Sequence, residues 1–275
     1  MKKKILLLHG WNDENYTSMT NSIDAWDNRK KFVDELSKKF EIYKLNFPGF
    51  CGEVEPNKSW FLKDYANYVF DYLKKNKLQV DYILGYSFGG AVAIVYNALK
   101  DPNQKLILIS PAIVRNGVTP KAPAKGLRKI VKNYYLKHIV KNKYMIHGTK
   151  FLNDSYQNIV RVELIDEINR ISPDLLTIIY GAKDNMVEPS RVLKCVDEDH
   201  KKCIHMIENG GHDIANTHAI DIMDIISNNI WYNVGRWDNE KTKDWWRKRI
   251  IRGNSYRWCK ELNCGTYTSI MFNKR

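Results

Sequence analysis

The 275-residue sequence has no long hydrophobic run and little cysteine. Its first apolar run, residues 5–8, ends after four residues at His9, and no later run approaches the roughly 20 residues that cross a bilayer. We therefore expect neither a signal peptide nor a transmembrane helix. The five cysteines are odd in number and scattered, which indicates reduced thiols rather than a disulfide framework. Together these features predict a cytoplasmic protein.

The sequence also lacks the glycine-rich loops that bind nucleotide phosphates. A single glycine, Gly10, follows the first predicted strand, so we expect no nucleotide cofactor. Four residues have side chains that bind zinc in other proteins: Cys195, His200, Cys203 and His205. The first two fall around a predicted helix end, and the last two are two residues apart on one strand face. We expect no metal site.

Positive charge is concentrated in two segments of the chain. The net charge is +13, yet residues 113–150 contain ten Lys or Arg and no acid, and residues 236–275 contain eleven bases against four acids. The rest of the chain has 23 bases and 27 acids. Anionic partners, namely an anionic ester substrate, an anionic membrane surface or a polyanion, are therefore expected at these two segments. The alternative is a solvated surface that aids solubility. No specific nucleic-acid motif is present.

Short apolar strands alternate with helical patterns along the first 230 residues. Strands are predicted at 5–8, 41–45, 82–86, 106–109, 175–180 and 203–207, and helices near 26–39, 60–77, 88–99, 189–198 and 213–229. Most of these strands are continuous apolar runs, which is typical of strands buried on both faces of a parallel sheet. The alternation predicts an α/β fold with three layers, in which helices flank about six mainly parallel strands.

Two stretches exceed what this alternating core requires. More than sixty residues separate the fourth and fifth strands, which predicts a helical cap or lid inserted at 113–172. Residues 235–275 are rich in tryptophan and basic residues, and we predict that they form an accessory extension. A helix whose tryptophans pack on the core is the alternative for this extension. The core then consists of residues 1–112 and 173–234.

A five-residue motif stands between the third strand and the next helix. Residues 85–89 read Gly-Tyr-Ser-Phe-Gly, a GxSxG element in a strand-turn-helix context. Its small residues permit a sharp turn that holds the hydroxyl of Ser87 above the edge of the sheet. The alternative is a glycine-rich turn with an incidental serine.

With this motif the chain resembles the α/β-hydrolase family over about residues 1–230. In that family an acid follows a late strand and a histidine follows the last one, and here Asp184 and His212 stand after the fifth and sixth strands. The resemblance therefore implies a catalytic triad of Ser87, Asp184 and His212, with Glu208 as the next candidate for the acid. The chain starts at the strand that carries the family's oxyanion turn. We therefore expect a sheet of six parallel strands, without the two that usually precede that strand.

The same resemblance implies that the backbone N–H groups of Trp11 and Phe88 form an oxyanion hole, because the His-Gly-Trp sequence at 9–11 is similar to the family's turn. Trp11, Tyr86 and Phe50 are candidates for lining the substrate pocket, and a core-filling Trp11 is the alternative. An imidazole must take the serine proton, and a buried carboxylate must orient that imidazole. We expect a serine hydrolase that cleaves a carboxylic ester or thioester through an acyl-serine intermediate. Acyl transfer to another alcohol and a non-catalytic binding protein on the same scaffold are the alternatives.

Overall fold

The computed structural model describes residues 2–114 and 143–232. Strands and helices alternate within these residues. The strands are β1 (Lys3–Leu8), β2 (Phe40–Leu45), β3 (Tyr82–Tyr86), β4 (Lys105–Ile109), β5 (Leu176–Gly181) and β6 (Ile204–Ile207). The helices are α1 (Lys30–Ser37), α2 (Leu62–Lys75), α3 (Phe88–Leu99), α4 (Lys143–Ile146), α5 (Lys150–Ile159), α6 (Ile165–Arg170), α7 (Pro189–Cys195), α8 (Glu198–Lys201), α9 (Ile214–Thr217) and α10 (Ala219–Tyr232).

All six strands belong to one sheet with the order β2-β1-β3-β4-β5-β6, and every neighbouring pair is parallel. The predicted sheet of six parallel strands is therefore confirmed. Leu8, the last residue of β1, lies opposite Leu45 of β2 and Gly85 of β3. The carboxyl ends of these strands therefore meet at one edge of the sheet, where open α/β sheets assemble their sites.

Alternation of side chains along β1 divides the core into two apolar clusters, one on each face of the sheet. Leu6 and Leu8 pack in the cluster that includes α2, α3 and α5. Ile5 and Leu7 pack in the other cluster, with α1, α9 and α10. Successive side chains of a strand point to opposite faces, so each strand contributes to both clusters. The result is the predicted three-layer arrangement.

The helix predicted over 213–229 is two helices in the structure, α9 and α10, separated at His218. The Thr217 hydroxyl donates a hydrogen bond to the carbonyl of Asp213 at 3.0 Å and also contacts Nδ1 of His218 at 2.7 Å. Such side-chain bonds compete with continuous helical backbone bonding. The segment that follows His212 is therefore a helix of only four residues.

The chain divides into two units, Met1–Trp231 and Tyr232–Arg275. Three predictions fall wholly or largely on residues 115–142 and 233–275, outside the described residues: the first half of the cap, most of the basic segment within it, and the C-terminal extension. The domain boundaries therefore stay predictions. Within the described part, none of the helices has the length and apolar content that a bilayer span requires.

Candidate active site

Ser87 occupies a strained turn between the end of β3 and the start of α3. Its backbone has φ 51° and ψ −111°, a left-handed conformation that costs energy for a residue with a Cβ. The flanking glycines allow this turn to pack tightly. A Cβ on Gly85 would lie 2.5 Å from the carbonyl oxygen of Gly89, and one on Gly89 would lie 2.1 Å from that of Leu8. The motif therefore needs glycine at both positions because backbone passes directly beside them.

An unbroken line of hydrogen bonds joins Ser87 to the two predicted partners. Nε2 of His212 lies 2.9 Å from Oγ of Ser87, and Nδ1 of the same ring lies 2.8 Å from Oδ2 of Asp184. The side chain of His212 is 13% exposed and that of Asp184 is fully buried. Three side chains separated by up to 125 residues in the sequence are thus brought within bonding distance. The arrangement matches the geometry in which an imidazole takes a serine proton.

Asp184 is held by the loop that follows β5. Its second oxygen, Oδ1, accepts hydrogen bonds from the backbone N–H groups of Met186 at 2.9 Å and Val187 at 3.1 Å. Oδ2 is then left to face the imidazole, so the carboxylate has one defined orientation. Glu208, the alternative candidate for the acid, is exposed.

The loop that carries Asp184, here called the acid loop, and the loop that carries His212, here called the histidine loop, pack against each other through glycine backbone. The N–H of Lys183 donates to the carbonyl of Gly210 at 2.8 Å. A Cβ on Gly181 would lie 2.2 Å from the carbonyl oxygen of Gly211 and 2.3 Å from that of Gly210. The separation of Asp184 and His212 therefore depends on this close backbone approach.

The turn after β1 runs directly beside the nucleophile. A Cβ on Gly10 would lie 2.8 Å from the ring of Tyr86 and 3.3 Å from Cβ of Ser87. Phe88 is the first residue of α3, and the first N–H groups of a helix have no acceptor within the helix. The predicted oxyanion donors, the N–H groups of Trp11 and Phe88, therefore belong to backbone that flanks Ser87 on two sides.

His9 fixes this turn rather than pointing to solvent. Its Nδ1 donates to the carbonyl of Gly10 at 2.8 Å, and its Nε2 accepts from the N–H of Phe47 at 3.0 Å. Burial lowers the pKa of His9 from 6.5 to about 4, so the ring is neutral at pH 7. The imidazole thus links the residues after β1 to those after β2.

The three candidate pocket residues are divided between the two faces of the sheet. Trp11 and Phe50 are buried in the cluster of α2 and α3, with ring centroids 5.2 Å apart. Tyr86 packs in the other cluster, where its ring centroid lies 5.7 Å from that of His212. The structure therefore brings Trp11 and Phe50 together, whereas Tyr86 lies on the other face of the sheet, beside the imidazole of His212.

Tyr16 is a residue beside this turn that the sequence did not single out. Its hydroxyl accepts a hydrogen bond from Nε1 of Trp11 at 2.6 Å and donates one to the carbonyl of Tyr144 at 3.2 Å. It is fully buried, and burial raises its pKa well above the ordinary value. Tyr16 thus joins the turn after β1 to helix α4. No local signal marks it, because the bonded groups are up to 128 residues apart.

The four residues considered as zinc ligands have other surroundings. His200 bonds the carbonyl of Ile171 through Nε2 at 2.8 Å, and His205 contacts the side-chain nitrogen of Asn229 at 3.0 Å. Cys203 is buried and Cys195 is exposed. Across residues 2–114 and 143–232, no group of three or more His, Cys, Asp or Glu is placed to hold a metal ion.

Known proteins similar to this chain share its fold. A family model described as the alpha/beta hydrolase fold matches residues 3–137. A Mycoplasma pneumoniae protein named "Putative esterase/lipase 2" is 27% identical over 113 residues, which cover 40% of this chain but only 38% of that protein. The chain therefore matches less than half of the length of this relative.

Two solved structures illustrate the similarity of fold. A bromoperoxidase from Bacillus anthracis superposes with a TM-score of 0.60 at 13% identity, covering 84% of this chain and 92% of that chain. A meta-cleavage product hydrolase from Pseudomonas fluorescens superposes with a TM-score of 0.57 at 16% identity, covering 84% and 91%. At such low identity these structures show the fold alone. The six parallel strands and the match of residues 3–137 show that the chain has the α/β-hydrolase fold.

Proposed function

We propose that this protein is a serine hydrolase that cleaves a carboxylic ester or thioester through an acyl-Ser87 intermediate. The observation that carries the proposal is the continuous line of hydrogen bonds from Asp184 through His212 to Ser87, at 2.8 and 2.9 Å. The α/β-hydrolase fold and the esterase/lipase name of a relative support hydrolytic activity in general. The serine mechanism and the ester class are our inference from the site.

In the acylation step, Oγ of Ser87 attacks the carbonyl carbon of the substrate while Nε2 of His212 takes the hydroxyl proton. Asp184 accepts the hydrogen bond of Nδ1–H and stabilises the imidazolium that forms. The tetrahedral intermediate then collapses. The bond to the leaving group breaks, and His212 gives its proton to the departing alcohol or thiol.

Deacylation repeats the same steps with water as the nucleophile. His212 takes a proton from water, the resulting hydroxide attacks the acyl carbon, and the intermediate collapses to release the carboxylic acid. The proton on Nε2 returns to Ser87, which restores the starting state. The negative oxygen of both intermediates would be stabilised by the N–H groups of Trp11 and Phe88, and removal of one such donor typically costs about 3 kcal/mol.

The test combines a serine-directed fluorophosphonate probe with turnover of a p-nitrophenyl ester. Ser87→Ala should abolish labelling, and Ser87→Ala, His212→Ala and the double variant should each lower kcat by a similar factor, up to about 10⁶. The effects should not add, because the two residues act as one unit.

A matched control is Ser110→Ala. Ser110 is a buried serine that also has a positive φ, 43°, and it follows β4, the neighbour of β3. This variant should keep both labelling and turnover. A folded wild-type protein that does not react with the probe would contradict the proposal and favour a binding protein on a hydrolase scaffold.

A further inference from the structure

Arg29 is a buried charged residue that the proposed reaction does not use. It ends a short 3₁₀ turn, Asp27–Arg29, directly before α1, and it is only 7% exposed. A buried charge is costly unless it is paired. Nε of Arg29 donates to Oδ1 of Asp213 at 2.8 Å, across 184 residues of sequence. Asp213 directly follows His212 in the chain, so this ion pair restrains the backbone next to the proposed base.

The same guanidinium also contacts the residue before the nucleophile. Its central carbon lies 4.4 Å from the centre of the Tyr86 ring, and Nη2 donates to the Tyr86 hydroxyl at 3.3 Å. The Tyr86 ring is in turn packed beside the ring of His212, with the centroids 5.7 Å apart. Arg29 therefore holds the chain neighbour of His212 and the chain neighbour of Ser87 at the same time.

The histidine loop needs such an anchor. Two glycines, Gly210 and Gly211, precede His212, and glycine loses more backbone freedom on ordering than any other residue. A Cβ added to Gly211 would meet nothing within 4 Å, so this side of the residue faces open space and no side chain packs there. On the C-terminal side of His212, helix α9 has only four residues and ends before His218. Asp213, adjacent to the imidazole, is therefore where a side-chain contact restricts the loop most directly.

We propose that Arg29 is a positioning residue for His212, because its guanidinium ties Asp213 to Tyr86 and so holds Nε2 of His212 at bonding distance from Ser87. This inference rests on the proposed serine mechanism. It assigns Arg29 no contact with substrate. A displacement of about 1 Å in a reacting group costs up to about 100-fold in rate, so loss of the anchor should be visible in turnover.

The experiment compares Arg29→Met, Arg29→Lys and Asp213→Asn with the wild type. Fluorophosphonate titration counts the reactive Ser87 sites, and kcat is then expressed per titrated site. Arg29→Met should lower kcat per site about 10- to 100-fold, with KM unchanged within about twofold. Asp213→Asn should lower it less, because its amide oxygen can still accept a hydrogen bond from Nε of Arg29 although the charge is lost. Arg29→Lys should lie between Arg29→Met and the wild type, because an ammonium can bond Asp213 but lacks the planar guanidinium that also contacts Tyr86.

Expressing kcat per site separates positioning from folding, since a purely structural role lowers the number of titrated sites without changing turnover at each. The matched control is Arg191→Met, which breaks the pair between Arg191 and Glu163, 2.9 Å apart. It should leave kcat per site unchanged.

Wild-type turnover per site in both Arg29→Met and Asp213→Asn would overturn the inference. If Arg29→Met does not fold, wild-type turnover per site in both Arg29→Lys and Asp213→Asn would overturn the inference instead. Failure of the wild type to label, or retained turnover in Ser87→Ala, would instead contradict the serine mechanism itself.

Discussion

At the scale of the residue, Asp184 illustrates how backbone contacts decide what a side chain can do. Its Oδ1 accepts two backbone N–H groups and its Oδ2 faces Nδ1 of His212. In Asp184→Asn the amide oxygen would keep the Oδ1 position, because only an oxygen accepts from the N–H groups of Met186 and Val187. The NH₂ group would then donate to Nδ1 and force the imidazole proton onto Nε2, where it blocks proton transfer from Ser87.

Asp184→Asn should therefore lower kcat by about 10⁴, less than the loss of about 10⁶ expected for Ser87→Ala. The measurement is ester turnover, with thermal melting to verify the fold. Full turnover in this variant would move the acid role to another carboxylate, with Glu208 as the first to test.

The buried side chain of His9 makes the stability of the protein depend on pH. It is 2% exposed, and burial lowers its pKa from 6.5 to about 4. Between these two values the unfolded chain binds a proton that the folded protein does not, so the free energy of unfolding falls as the pH falls from 6.5 to about 4. The total loss due to His9 is about 3 kcal/mol, and above pH 6.5 this residue causes almost none.

His9→Gln should remove this part of the pH dependence, because glutamine does not titrate while its amide can still bond the N–H of Phe47. Urea unfolding at pH 7 and pH 4.5 measures the effect. On acidification the wild type should lose about 2 kcal/mol more than the variant. Equal losses would show that His9 titrates as it does in water.

At the scale of the element, the sequence predicted the strands well because most of them are continuous apolar runs. The prediction for β3 matches at both ends, and the other strands agree within two residues. The resemblance to the α/β-hydrolase family predicted Ser87, Asp184 and His212 together, and the structure brings these three side chains within bonding distance. The break at His218 could not be predicted, because a local bond of Thr217 overrides a pattern that favours one helix.

Tyr16 couples two elements that the sequence treats separately, the turn after β1 and helix α4. Tyr16→Phe removes the acceptor of Nε1 of Trp11 and the donor to the carbonyl of Tyr144. An unsatisfied buried donor costs about 1–3 kcal/mol, and Trp11 also supplies a predicted oxyanion N–H. We expect lower stability and a fall in kcat of about tenfold, smaller than the loss of a whole oxyanion donor.

Turnover per titrated Ser87 and thermal melting measure this effect together. The control is Tyr43→Phe, which removes the hydroxyl bonded to Glu41 on β2 and should change neither quantity. Unchanged kcat per site in Tyr16→Phe would limit Tyr16 to a structural role.

At the scale of the whole molecule, the contacts that complete the site are those the sequence could not predict. The Arg29–Asp213 pair spans 184 residues, and the Phe47–His9 bond spans 38. Neither residue of such a pair has a local pattern that indicates its partner, because the contact exists only once the sheet has brought separate loops to one edge. The positions of the charged residues along the sequence, in contrast, directly predict two basic segments, at 113–150 and 236–275.

The basic segment at 113–150 should favour substrates that carry negative charge. Ten bases without an acid should raise the local concentration of an anionic ester, and such an effect is screened beyond about 10 Å at 0.1 M salt. The measurement is kcat/KM for a matched pair of neutral and anionic esters. The ratio of anionic to neutral should fall as salt is added. A ratio that does not change with salt would leave these lysines and arginines as a solvated surface.

Deletion of residues 235–275 should preserve ester turnover while reducing adhesion to anionic vesicles. Ser87, Asp184, His212, Trp11 and Phe88 all precede this extension, and α10 ends before it, at Tyr232. The extension has eleven bases interleaved with tryptophans, a mixture that suits anionic lipid headgroups and gives salt-dependent binding. Vesicle co-sedimentation at low and high salt, together with thermal melting, compares the two proteins. If the tryptophans pack on the core instead, each is worth about 3–5 kcal/mol, and the shortened protein would melt far below the full chain. That outcome would make the extension part of the structural core.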